Sequence, residues 1–226
     1  MTDERAALTA FQLADSFLPV GGYSSSYALE QFVQSERVES ATDLVEVLSA
    51  YLRGQVGPAE LVALRAAHRA AQERDVDALI RADRRLHAVT LPAEFRESAT
   101  RSGARLCDLR RKTTSDSLLQ RYADRDPPQQ YPAVLGAVAA IDGIPERQAC
   151  LVHCYSFCSD MLGAAQRLLS LGHTDAQAAL EELKPVISEA VDGSTDRGLE
   201  SMAPFAPLVE IQAAAHERAD RRLFVS

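Results

Sequence analysis

From Leu44 to Leu168 the apolar residues recur at helical spacing, and no run alternates apolar and polar residues with the β-branched and aromatic enrichment that a strand requires. This restricts the chain to helix packed on helix, because an amphipathic stripe with no sheet to cover it has to be buried against other helices. Ser40-Ala41-Thr42-Asp43 reads as a capping box ahead of a face made by Leu44, Leu48, Tyr51 and Leu52, and Gly57-Pro58 is expected to break that helix and open the next at Pro58. Further helices are expected over about 58–73, 76–89, 93–112 and 115–123, separated by Asp75 and Pro92, with Asp126-Pro127-Pro128 as the clearest interruption. Beyond Tyr131-Pro132 the pattern gives a short helix to Ala140, a turn at Asp142-Gly143, and a long helix from Pro145 to about Leu171 that Gly172 ends. Thr174-Asp175-Ala176-Gln177 looks like a second capping box, Asp192-Gly193-Ser194 like a loop, and a final helix starts near Pro207. No fixed-period repeat and no Gly, Ser or Pro linker divides the chain, so the expectation is an all-α, single-domain multi-helix bundle over residues 1–226.

Composition narrows the function classes. In 226 residues, 46% are hydrophobic and 25% charged, values that support a buried core and argue against disorder. The net charge of −8 repels phosphate backbones and anionic lipid, and aromatic residues at 6% offer little base stacking, so neither nucleic acid nor a membrane surface is an expected partner. Met1-Thr2-Asp3-Glu4-Arg5 lacks the basic start and apolar run of a secretory signal, and no window approaches the ~18 uninterrupted apolar residues of a membrane span. Cys107, Cys150, Cys154 and Cys158, three of them crowded into one short segment, do not resemble a secreted disulfide framework, and reduced thiols in the cytoplasm are expected.

Few constellations carry chemistry. Cys150, His153, Cys154 and Cys158 offer soft ligands for zinc, copper or nickel, yet on a continuous helix Cys150 and Cys158 lie about 12 Å apart, too far to share one tetrahedral ion. The three thiols share an apolar face with Phe157, Met161, Ala165 and Leu168, so core packing is the expected role and nickel binding the alternative. Gly21-Gly22 has no Gly-Lys-Ser/Thr behind it and no buried strand before it, which makes it a tight turn rather than a phosphate loop. His216-Glu217 lacks the second histidine of a zinc protease helix, Asp220 standing in its place, and no Gly-x-Ser-x-Gly elbow occurs. No catalytic, cofactor or metal residue is therefore assigned. Arg96, Arg101, Arg105, Arg110, Arg111 and Lys112, and again Arg218, Arg221 and Arg222, form basic runs that suit either a solvated helix face or docking onto an acidic partner.

Several separated blocks stand out: Leu13-Ala14-Asp15-Ser16-Phe17-Leu18-Pro19-Val20-Gly21-Gly22-Tyr23-Ser24 continuing to Leu29-Glu30, the helix with Arg101, Gly103, Arg105 and Leu106, and Tyr131-Pro132-Ala133-Val134 with Gly136. Arg167 with Leu171-Gly172-His173-Thr174-Asp175 and Gln177, then Pro207-Leu208-Val209-Glu210-Ile211, His216-Glu217-Arg218 and Arg222-Leu223-Phe224-Val225-Ser226, complete the set. In this order the blocks resemble the urease accessory protein UreF family. The chain departs from it at Ser25, Ala28 and His173, where the family often has histidine, glycine and glutamine. The resemblance implies an all-helical, usually dimeric, cytoplasmic protein without catalysis, cofactor or metal site of its own, assisting nickel insertion into apo-urease. The partners it implies are the UreD/UreH accessory protein, the GTPase UreG and urease, with a C-terminal segment at about 207–226 taking part in assembly. Within that segment the apolar stripe of Leu208, Ala215, Ala219 and Leu223 is weak, so the end is expected to fray alone and to order on a partner, with Arg218 and Arg222 as donors and Leu223 and Phe224 as apolar anchors. At the other end, the Gly21-Gly22 turn either brings Tyr23 and Ser24 close to a partner surface or merely reverses the chain. Two rivals remain: a GTPase-activating regulator of UreG, and a nickel metallochaperone using Cys150, His153, Cys154 and Cys158.

Overall fold

A computed structural model describes residues 3–21 and 27–217, and among these every regular element is a helix. After α1 (Asp3–Ala14) and the short α2 (Leu29–Gln34), Ser40 opens α3 (Ala41–Tyr51) through the expected capping box. Ser40 Oγ accepts from Asp43 N at 3.2 Å while the Asp43 carboxylate accepts from Ser40 N at 3.0 Å.

Gly57-Pro58 does not break this helix. Leu52–Glu60 widens into a π-helix that carries Pro58 within it and runs directly into α4 (Leu61–Gln72), Leu61 N donating to Val56 O five residues back. The wider turn accommodates a ring that would collide with the carbonyl four residues back in an α-helix, and it needs no α-type bond from the missing N–H. α5 (Val76–Val89) begins at the expected Asp75, whose Oδ1 accepts from Ala78 N at 2.9 Å. Then follow α6 (Ala93–Thr113), α7 (Ser117–Ala123), α8 (Tyr131–Ile141), α9 (Glu146–Leu168), α10 (His173–Gly193), a single 3₁₀ turn at Leu199–Ser201, and α11 (Pro207–His216). Two ends differ from expectation. The capping box at Thr174 does not form, since Gly172 is the N-cap of α10 and no side chain caps it; α9 stops at Leu168, before Ser170 takes up a φ of 53°.

The core is organised around α8. Every residue from Pro132 to Ala139 is buried, so this helix has no solvent face and is surrounded by α4, α5, α6 and α9. Two glycines permit that crowding. A Cβ on Gly136 would run into the carbonyl of Leu64 on α4, and one on Gly103 of α6 would run into the carbonyl of Gln129, in the segment leading into α8. That segment is tied down by Asp83 of α5, whose buried carboxylate accepts from Gln129 N (2.8 Å), Gln130 N (2.7 Å) and Tyr122 Oη (2.8 Å). Burial raises the Asp83 pKa, and the three hydrogen bonds pull against it.

Backbone contact at Gly136 makes a sharp prediction. Gly136→Ala is expected to cost about 1–3 kcal/mol through overpacking. Gly163→Ala, in mid-α9 with nothing within 4 Å of the added carbon, should gain about 0.5–1 kcal/mol from helix propensity. Urea unfolding of both variants checks this, and equal shifts in the same direction would contradict the packing described.

Candidate functional site

The turn at Gly21 has the left-handed backbone expected of it, with φ 88°. Gly22, Tyr23 and Ser24 lie outside the described residues. The chain returns at Tyr27 and Ala28, both at positive φ (45° and 62°) and leading straight into α2. Ala28 therefore occupies, as a departure from the family pattern, a conformation that favours glycine. The base of this loop is clamped in the core: Tyr51 Oη donates to Tyr27 O, and the Tyr27 ring meets Phe95 at 5.5 Å and Phe157 at 5.3 Å, edge to face.

α2 is where the two ends of the sequence meet. Its buried face carries Leu29, Glu30 and Phe32, and α11 packs on it. His216, 1% exposed, is placed between two carboxylates from different helices: Nδ1 is 2.7 Å from Glu94 Oε2 on α6, and Nε2 is 3.5 Å from Glu30 Oε2 on α2. Glu217 adds a second fastening, its Oε1 accepting from Ala93 N (2.9 Å) and Glu94 N (3.3 Å) at a helix start whose own N-cap, Pro92, has no side chain to offer. At the other end of α11, Phe205 N donates to Gly54 O of the π-helix at 2.7 Å.

The inner face of α11 is thus Val209, Gln212, Ala213 and His216. Leu208 and Ala215, expected on its apolar stripe, are not on this face: Ala215 is half-buried, and Leu208 (42%) and Ile211 (63%) face solvent together with Phe205 (78%). An apolar count cannot find a face whose anchor is a histidine matched to distant carboxylates. Through Glu217 the C-terminal segment is docked on this chain's own body, whereas Arg218, Arg222, Leu223 and Phe224 lie outside the described residues. A second apolar surface lies between α1, α9 and α10, a groove of about 840 Å³ whose walls include Phe11, Leu151, Tyr155 and Ile187.

The thiol face is core. Cys107, Cys150, Cys154 and Cys158 are all buried, and burial pushes the thiols up, to about 11 for Cys107 and Cys150, about 12 for Cys158, and well above the ordinary value for Cys154. His153 is held by Glu60, with Nε2 to Oε2 at 2.7 Å. The nickel-binding alternative therefore has no assembled ligand set, and among the described residues no three His, Cys, Asp or Glu side chains converge on one ion position. His216 does not supply one, because its two nitrogens face different carboxylates on opposite edges of the ring. The basic run on α6 is largely spent within the chain: Arg96 donates to Thr90 O at 2.8 Å, Arg110 pairs with Asp142, and Arg111 donates to Gln120 Oε1 at 2.9 Å.

Comparison with known proteins places this geometry. The UreF family model matches residues 38–184. The chain belongs to the UreF family. Among similar proteins, Urease accessory protein UreF of Trichodesmium erythraeum is 31% identical over 100% of this chain and 99% of its own length. Urease accessory protein UreF 1 of Brucella melitensis is 34% identical over 97% of this chain and 92% of its own. The Yersinia enterocolitica protein of the same description is 31% identical over 94% and 95%. This UreF-family chain thus shares a urease-accessory family, and several residues of the resemblance now have physical roles: Gly103 and Gly136 admit backbone, and Glu30, His216 and Glu217 fasten α11.

His216→Ala leaves two buried carboxylates facing each other and is expected to cost about 1–3 kcal/mol, the scale of leaving a buried polar group unsatisfied. Hydrogen exchange should show Ala213–Glu217 losing protection while α4 and α8 keep theirs; uniform loss would mean that the histidine is not a local fastening. A thiol reagent at pH 8 should label none of the four cysteines in the folded chain, and rapid labelling of Cys154 would reopen the metal reading.

Proposed function

We propose that this chain is an assembly adaptor in urease maturation: it joins the UreD/UreH accessory protein and the GTPase UreG on apo-urease, supporting GTP-dependent nickel insertion, in the cytoplasm and as a homodimer. The supporting observation is the disposition of α11. Its inner face is committed to fastenings within the chain, while Phe205, Leu208 and Ile211 face outward, and the helix leads in sequence to Arg218, Arg222, Leu223 and Phe224. Exposed large apolar side chains followed in sequence by arginines have the composition of an interface hot spot. The groove at Phe11 and Tyr155 supplies a second apolar surface, and an adaptor needs at least two.

An activating regulator of UreG remains the second reading, since a terminal arginine beside an apolar anchor is also the form of an arginine finger. Turnover of GTP by UreG with and without the chain separates regulation from scaffolding. Equilibrium dialysis with nickel, repeated on Cys154→Ser, is the corresponding check on metal carriage.

Ile211→Asp alters a solvent-facing position, so its unfolding free energy should stay within about 0.5 kcal/mol of the parent. Its co-purification with UreD/UreH and UreG should nevertheless fall at least tenfold. Arg222→Ala should weaken recruitment of UreG without unfolding the chain. Unchanged elution of the assembled complex on a sizing column for both variants would reject the docking assignment.

A further inference from the structure

Between the segment 13–21 and the helices α8 and α9 lies a pocket of about 300 Å³ that adjoins the groove at Phe11 and Tyr155, sharing Ala14, Asp15, Ser16 and Ser159 with it. Leu13, Leu18, Pro19 and Val20 form an apolar wall, and Phe17, 91% exposed, belongs to the same lining. The polar part of the lining is rich in acceptors: Asp160, Ser156 and Ser159 of α9, Tyr131 of α8, and Asp15 and Ser16 of the segment itself. Ser156 Oγ is fully buried without a hydrogen-bond partner. Among the described residues no N–H or O–H donates to the Asp160 carboxylate, whose one favourable influence is the more distant charge of Arg167; Arg167 itself donates from Nε to Gly163 O at 3.2 Å. The other titratable groups around Asp160 bring no positive charge to it: Asp15 accepts from Phe17 N at 2.8 Å, and Tyr27 and Tyr131 are neutral phenols whose pKa burial raises. His173, in the adjoining cavity that Asp160 also lines, is paired with Gln166 at 2.9 Å.

A half-buried carboxylate without a donor is a standing cost to the fold. Burial pushes Asp160 up to about 6, so its ionised form opposes folding at pH 7 and the penalty is relieved as the pH falls through that value. Such a site is matched by a cation rich in donors. We propose that the pocket receives an arginine side chain of a partner protein, the guanidinium pairing with Asp160 and donating to the Ser159 hydroxyl while the aliphatic stem lies along Leu18, Pro19 and Val20. Arginine suits it better than lysine because α9 offers acceptors at positions 159 and 160, which a planar fork can reach together, and because guanidinium sheds its water more readily. Phe17 at the rim can cover the guanidinium face. The inference rests on the adaptor reading for the source of the arginine, since a protein that works by docking offers its pockets to side chains of its partners.

The pocket is testable on the isolated chain. At pH 7.5, N-acetyl-arginine amide should shift the backbone amide resonances of Gly21, Ser156 and Ser159 saturably, whereas the N-acetyl-citrulline counterpart, isosteric but uncharged, should bind at least tenfold more weakly. Asp160→Asn should abolish the difference between the two probes and also raise the melting temperature at pH 7.5, since the unpaired charge is gone. Ser159→Ala, which leaves the carboxylate in place, should fold normally and weaken the arginine probe by a smaller factor. Lowering the pH to 5 should weaken that probe as Asp160 takes up its proton. Absence of shifts, equal binding of the citrulline probe, undiminished binding to Asp160→Asn, or a melting temperature that Asp160→Asn fails to raise would each overturn the proposal. Failure to co-purify with UreD/UreH and UreG while the arginine probe still binds would remove the adaptor reading and leave the pocket standing.

Discussion

The close approach of α8 to α4 at Gly136 sets the rest of the structure. Because α8 has no polar face, it can exist only inside a ring of other helices, and because the crossing leaves no room for a Cβ, the backbone of one helix rests on that of the other. α5, α6 and α9 take their places around that contact, and Gly103 extends the same principle to the segment feeding into α8.

Buried polar residues then fix how sequence-distant segments join. Asp83 collects three donors at the start of α8; Arg65 of α4 donates to Ser194 Oγ at 2.9 Å and to Val191 O at 2.8 Å while pairing with Glu146 of α9. His216 does the same for the C-terminal helix, drawing Glu30 and Glu94 to the two edges of one ring. Polar and charged groups buried in this way contribute modest net stability but specify which segments meet, since each leaves an unpaired group behind when mispaired. The outward display of Phe205, Leu208 and Ile211 is a consequence of that specification.

For a family of urease accessory proteins, this arrangement separates two tasks. An interior with buried thiols, whose pKa values burial raises, holds two apolar surfaces: the outer face of α11 and the groove at Phe11 and Tyr155. The Asp160 pocket adds a polar feature beside the Gly21 turn, so near the start of the sequence acceptors adjoin the apolar groove, while the outer face of α11 near its end is apolar.

The sequence alone determined the helical class, the cap at Ser40, the boundary at Asp75, the break at Asp126-Pro127-Pro128 and the burial of the cysteine stripe, because each follows from spacing along a single helix or turn. Ordered family blocks likewise made the family legible before any contact was known. It misplaced the break at Gly57-Pro58, since a π turn that absorbs proline depends on what packs around it. Only the tertiary structure decided that α11 would turn Leu208 outward and His216 inward, and that Asp160 would be left without a donor in a pocket. Those outcomes depend on partners many residues away, which no local periodicity encodes: the free energy of a buried charge is set by the groups the fold brings to it.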